Sequence, residues 1–207
     1  NLKVVADMSE RILKYLFYLC TGACCGILIF GADFIRLWMG PGFELTVDIL
    51  YILAVPAIIF LPQVASNSIL FGIGKHRLLL VILAVEAVAN IALSLVLVFK
   101  IGILGVALGT AIPQIIIYSF VYPIAYHRVL KASVKRFYVN GLRSIFLGVA
   151  FACPVGLLIR EYLATKNWTG FSIGVILTGL VILAGFVWLV LKREDRRRIW
   201  SSLRKSG

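Results

Sequence analysis

The stretch Leu78–Phe99, LLLVILAVEAVANIALSLVLVF, decides the class of this protein. It runs for 22 residues and holds one ionisable side chain, Glu86. A helix of about 20 apolar residues is long enough to cross the hydrocarbon core of a bilayer. The apolar residues cover all sides of such a helix, which fits a lipid-facing span better than an amphipathic soluble one. Outward from it the pattern recurs as Tyr15–Ile35, Ile49–Ile73, Ile103–Tyr126, Leu142–Leu158 and Phe171–Leu191, each bounded by charge or turn residues. The Leu142–Leu158 run is the weakest, because Arg143 and Arg160 limit its apolar part. Composition agrees: 61% of the 207 residues are hydrophobic and 14% are charged, with mean hydropathy +1.01. Soluble domains run near 25% charged. The expected fold class is all-α, a polytopic membrane helix bundle of six transmembrane helices. Pro56, Pro62, Pro113, Pro123 and Pro154 fall inside these runs, where neighbouring groups of a membrane bundle can serve the freed carbonyls.

A net charge of +12 would suit a nucleic-acid partner if it were clustered on one soluble face. It is distributed otherwise. Numbering the loops alternately, one side holds Lys3, Arg11, Lys14, Lys75, Arg77, Arg128, Lys131, Lys135, Arg136, Arg143 and the seven bases of the tail. The other holds Arg36, Lys100, Arg160 and Lys166, a split of 17 to 4. That bias is the positive-inside pattern, so both ends are expected in the cytoplasm, with no nucleic-acid partner. The opposite loop Asp33–Asp48 has three acids against one Arg, which agrees. The chain then divides into a polar cytoplasmic segment 1–14, four spans over 15–130, two further spans over 131–191, and a basic tail 192–207. In the tail, Ile199, Trp200 and Leu203 fall at helical spacing among the bases. They could face a membrane interface with anionic headgroups, or the tail could be solvated and serve topology alone. The first residue is Asn1 and no signal-peptide pattern follows, so the expectation is a piece of a longer polypeptide.

Polar residues inside a membrane are costly and therefore informative. The second run carries Gln63, Ser66 and Asn67 on one helical face, the third Glu86, Asn90 and Ser94, and the fourth Thr110, Gln114, Tyr118 and Tyr122. Three such stripes meeting near mid-depth would line a water-filled cavity, with Gln63, Asn67, Glu86, Asn90 and Gln114 as the candidate lining. Glu86 lies about 12 Å beyond Leu78 at 1.5 Å per residue. It is either a protonatable group coupling transport to an ion gradient, or a neutral acid that ties two helices together. Gly22 and Gly26, Gly105 and Gly109, and Gly170 and Gly174 are small-xxx-small pairs suited to close helix packing. Catalytic chemistry finds no foothold. Gly72-Ile73-Gly74-Lys75-His76 lacks the upstream Gly and the Ser/Thr of a phosphate loop, and no H-E-x-x-H, G-x-S-x-G or D-x-D cluster occurs. Cys20, Cys24, Cys25 and Cys153 lie in apolar runs without metal-ligand spacing and read as small hydrophobes. No metal, no cofactor and no enzyme activity are expected. Asn167-Trp168-Thr169 reads as a chance match to a glycosylation acceptor.

Five segments together carry a family resemblance: Phe34-Ile35-Arg36-Leu37-Trp38-Met39-Gly40-Pro41, Leu70-Phe71-Gly72-Ile73-Gly74-Lys75-His76-Arg77, Glu86-Ala87-Val88-Ala89-Asn90, Leu93-Ser94-Leu95-Val96-Leu97, and Gly102-Ile103-Leu104-Gly105-Val106-Ala107-Leu108-Gly109-Thr110. The region from about Ala6 to Leu130 resembles the C-terminal part of bacterial polysaccharide (lipid-linked oligosaccharide) flippases, in the superfamily of multidrug and toxin extrusion transporters. The resemblance implies the last six helices of a fourteen-helix, two-lobed transporter of the bacterial inner membrane. It implies flipping of undecaprenyl-diphosphate-linked glycans by alternating access, driven by an ion gradient, with Glu86 as the coupling candidate. Its implied partners are the lipid-linked oligosaccharide, the phospholipid bilayer, and the glycan polymerase and chain-length machinery. No Arg or Lys lies deep in these spans, so an anion site for the diphosphate is expected elsewhere in such a transporter. A multidrug exporter of the same superfamily is the nearest alternative. A membrane-embedded glycan polymerase or ligase is a second, though it would call for a larger, chemically richer external loop.

Overall fold

The computed structural model describes residues 2–163 and 167–190. The basic tail 192–207 lies outside the described residues. Seven α-helices and two π turns follow in order, and among the described residues there is no strand. They are α1 (Leu2–Met39), α2 (Glu44–Gly72), α3 (His76–Ile101), α4 (Ile103–Ile116), α5 (Tyr122–Leu130), α6 (Val134–Tyr162) and α7 (Trp168–Gly185). A π turn, Ile117–Val121, joins α4 to α5, and a second, Phe186–Val190, ends α7. Taken with those turns they make six helices long and apolar enough to cross a membrane. The chain is an all-α bundle of the multi-pass kind.

Each helix extends past its apolar run. The α1 helix continues through the polar opening segment, because nothing there stops it: the first Gly is Gly22 and the first Pro is Pro41. Its 38 residues would measure about 57 Å, longer than a bilayer is thick. The α6 helix is unbroken over 29 residues despite Arg143, Pro154 and Arg160. Turns between helices are short and use the expected chemistry. Gly102, at φ +65°, alone reverses the chain between α3 and α4. Gly74, at φ +71°, closes α2 with Lys75 N–H bonded to the Leu70 carbonyl at 2.8 Å. That is the role of the stretch that superficially resembles a phosphate loop.

The α1 helix is the hub. It packs against α2 on one flank and against α6 and α7 on the other. One apolar core gathers Leu13 and Phe17 of α1, Leu70 of α2, Leu79 of α3, Tyr118, Tyr122 and Tyr126, and Phe137 of α6. A second gathers Tyr18, Cys25, Ala152, Ile182 and Val190 between α1, α6 and α7. Charge ties α1 to α6 at both ends. On the basic side Arg136 reaches Asp7 at 3.6 Å and Glu10 at 3.5 Å. On the other side Arg160 grips Asp33 in a fork, Nε to Oδ2 at 2.7 Å and Nη2 to Oδ1 at 3.1 Å. The Arg that weakens the fifth run by composition is therefore paired. The α3 helix is the periphery: it lies along α4 and touches little else.

Candidate functional site

The polar seam is built where the fourth span loses its regular hydrogen bonds. Pro123 has no N–H, so it leaves one carbonyl without a main-chain donor: Ser119 in the α register, Tyr118 in the π register. The Tyr122 N–H bonds the Ile117 carbonyl, five residues back, which sets the π register just before the proline. The Tyr118 carbonyl, orphaned in this register, and the neighbouring Ser119 carbonyl both take side-chain donors from other helices. The Gln63 amide, on α2, donates to the Tyr118 carbonyl at 2.7 Å and to its own Ile59 carbonyl at 2.9 Å. The Tyr138 hydroxyl, on α6, donates to the Ser119 carbonyl at 2.5 Å. Gln63 is 1% exposed, and its Oε1 has no hydrogen-bond partner.

Around this turn the second and fourth polar stripes meet. The Tyr122 hydroxyl donates to Asn67 Oδ1 at 2.7 Å and lies 3.4 Å from the Gln63 carbonyl. Tyr118, Tyr122 and Tyr126 form a ladder with ring centroids 5.4 Å and 6.0 Å apart. At its end the Tyr126 hydroxyl shares a hydrogen bond with Ser9 of α1, both buried. Glu86 approaches from α3, half-buried, with its carboxyl beside the Tyr118 phenol.

The other polar residues of α3 join a separate network. Asn90 donates to Thr110 Oγ1 at 3.2 Å, and Ser94 donates to Asn90 Oδ1 at 3.1 Å. Thr110 in turn donates to the Val106 carbonyl at 3.1 Å. This network staples α3 to α4. Gln114 is half-buried and outside it. Of the five candidate lining residues, Gln63 and Asn67 are thus brought together at the wide turn, with Glu86 beside them through Tyr118. Asn90 sits on the α3–α4 seam. Sequence reasoning leaves out Tyr138, Ser9 and Tyr126; the four-residue spacing of the three tyrosines is the signal that could have found the last.

The glycine pairs separate in the same way. A Cβ on Gly105 would run into the Leu97 backbone, and one on Gly109 into Ser94, so α3 and α4 touch backbone to backbone. A Cβ on Gly22 would stand 2.7 Å from Ile182 of α7, whereas Gly26 has nothing within 4 Å. Gly26 faces a groove of about 460 Å3 between α1, α2 and α7, walled by Phe30, Phe34, Phe171 and Val175. The groove is apolar, and none of the five candidate residues lines it.

Chemically, the seam can accept and donate hydrogen bonds, and Glu86 adds a carboxyl beside it. Among the described residues no cluster of three His, Cys, Asp or Glu side chains could hold a metal ion. The four cysteines are free. No family model, no curated protein and no solved structure matches the chain.

Proposed function

We propose that this chain is the C-terminal part of a membrane transporter that flips undecaprenyl-diphosphate-linked oligosaccharide across the bacterial inner membrane. It does so by alternating access, with an ion gradient supplying the energy. The observation that carries this reading is the seam near the middle of the spans: an ionisable Glu86 and hydrogen-bonded amides gathered against a fourth span that winds into a π turn at Ile117–Val121. A pure anchor has no use for such residues, whose insertion costs free energy. π turns inside helices are frequent at functional sites, and intramembrane carboxyls mark the translocation paths of transporters. The short turns at 40–43, 73–75 and at Gly102 leave no room for a catalytic domain between the first four spans. The resemblance of the segments from Phe34 to Thr110 to the flippase family supplies the cargo class. Within this reading the basic side is cytoplasmic, and the polymerase and chain-length machinery work on the opposite face.

The test is depletion of the protein in its own cell, followed by location of the lipid-linked repeat units in sealed vesicles of known orientation. Accumulation on the cytoplasmic face is the expected result. Accumulation on the outer face would overturn it in favour of a polymerase or ligase. Normal lipid-linked intermediates together with drug hypersensitivity would overturn it in favour of a multidrug exporter.

A further inference from the structure

The bonds at the wide turn have a mechanical meaning that is independent of the cargo. In an uninterrupted helix each carbonyl is held by a main-chain N–H four residues on, and bending must break several such bonds together. At Tyr118, whose carbonyl Pro123 cannot serve in the π register, the donor is instead the tip of a side chain on another helix, Gln63 of α2, and Tyr138 of α6 adds a side-chain donor at the neighbouring Ser119 carbonyl. A side-chain donor can let go by changing rotamer while the helix on either side stays intact. Ten residues before Pro123, Pro113 removes a second main-chain donor. The fourth span is therefore two stiff rods, α4 and α5, meeting at a turn whose own ladder is incomplete.

The packing distributes these rods between two bodies. The α5 rod is tied to α1 through Tyr126 and Ser9, and to α2 through Tyr122 and Asn67. The α4 rod is fastened to α3 by the Gly105 and Gly109 contacts and by the Asn90–Ser94–Thr110 network. Beyond α4, α3 barely touches the rest of the bundle, so among the described residues α4 and α3 form a hairpin whose one other extensive contact is α4 against α2.

We propose that Ile117–Val121 is a joint on which the α3–α4 hairpin swings as one body against α1, α2, α5, α6 and α7, and that Gln63 and Tyr138 are the latches that hold it in the arrangement described. A swing of this kind would carry Glu86 away from Tyr118 while leaving Asn90 bonded to Thr110, since the first pair spans the joint and the second lies within the hairpin.

The experiment measures distances in the full polypeptide, reconstituted in lipid nanodiscs, between spin labels introduced as non-natural amino acids. Val88 of α3 and Leu180 of α7, both exposed, report across the joint; Phe146 of α6 and Leu180 report within the larger body. The expected result is two distance populations for the first pair and one for the second. Removing both latches, with Gln63→Leu and Tyr138→Phe, should change the ratio of the two populations by at least about twofold, the worth of one weak net hydrogen bond. A single unchanged distance for Val88–Leu180 in wild type and double variant would overturn the joint. So would equal broadening of the Phe146–Leu180 pair, which would mean general loosening. If the double variant fails to fold, Tyr138→Phe alone decides, because it keeps the ring and removes one hydroxyl: an unchanged ratio overturns the proposal. Two populations without any defect in lipid-linked intermediates on depletion would leave the joint standing and remove the flippase.

Discussion

A carboxyl ten residues into α3 must be neutral, paired or wet, because an isolated charge at that depth costs roughly 2.5–3.5 kcal/mol on insertion scales. No cation is paired with Glu86 among the described residues; its polar neighbour is the Tyr118 phenol. That contact can serve either role the residue could have. As a permanently neutral acid it would hold α3 against the wide turn; as a coupling group the acid would release its proton to water, becoming a carboxylate, as the seam opens. Glu86→Gln separates them, since the amide keeps size and hydrogen bonding and loses only the proton. With coupling, gradient-driven transport in proteoliposomes falls by more than about tenfold, because each 1.4 kcal/mol is already a factor of ten, while the protein remains inserted and folded. Full activity in Glu86→Gln would reduce the residue to a tie between helices. Asn90 makes an instructive contrast on the same face of α3. Its amide is spent on Thr110 within the hairpin, so its removal bears on the stability of α3 against α4.

At the scale of the helix, one sequence pattern has two outcomes. Gly22–Gly26 and Gly105–Gly109 are the same spacing, yet the first pair ends in open space and the second in a neighbouring backbone. Gly105→Ala must push α3 and α4 apart, and overpacking of this kind costs about 1–3 kcal/mol. Gly26→Ala adds a methyl to an empty groove and should stay within about 0.5 kcal/mol of wild type. Thermal unfolding in detergent compares them directly; equal losses would contradict the difference in packing between the two pairs. The contrast also marks the limit of what the sequence makes legible. Six apolar runs and their approximate ends are readable because each run needs nothing beyond itself to be recognised. The π turn is not readable. Pro123 signals a missing donor, but the register is settled by Gln63 and Tyr138, which lie 55 and 19 residues away from the carbonyls they serve. For the same reason the polar stripes are visible as stripes, while their division into a wide-turn cluster and an α3–α4 staple depends on which helices become neighbours. The groove beside Gly26 has no sequence signal, because small and apolar residues look alike whether or not something fills the space between them.

For the whole molecule, the strongest constraint is that the two ends of the bundle differ. The Lys14 ammonium donates to the Val190 carbonyl at 3.4 Å, which brings the entrance of the first span beside the exit of the last. An even number of spans therefore returns the chain to the side it started from, and the helix order carries the turns at 73–75 and 131–133 to that side as well. Among the described residues this side carries Arg11, Lys14, Lys75, Arg77, Arg128, Lys131, Lys135 and Arg136. On the opposite side, Arg160 is held in its fork by Asp33. The proposed orientation, with both ends in the cytoplasm, is testable in intact cells with a membrane-impermeant maleimide. Pro41→Cys, in the turn after α1, and Asn167→Cys, before α7, should react without permeabilisation. Lys135→Cys, at the start of α6, should react only after it. All three positions are exposed, so the reagent's failure to cross the membrane decides the pattern. The reverse pattern would mean that the 17 bases face outward, and a transporter working from the cytoplasm would then be untenable for this chain.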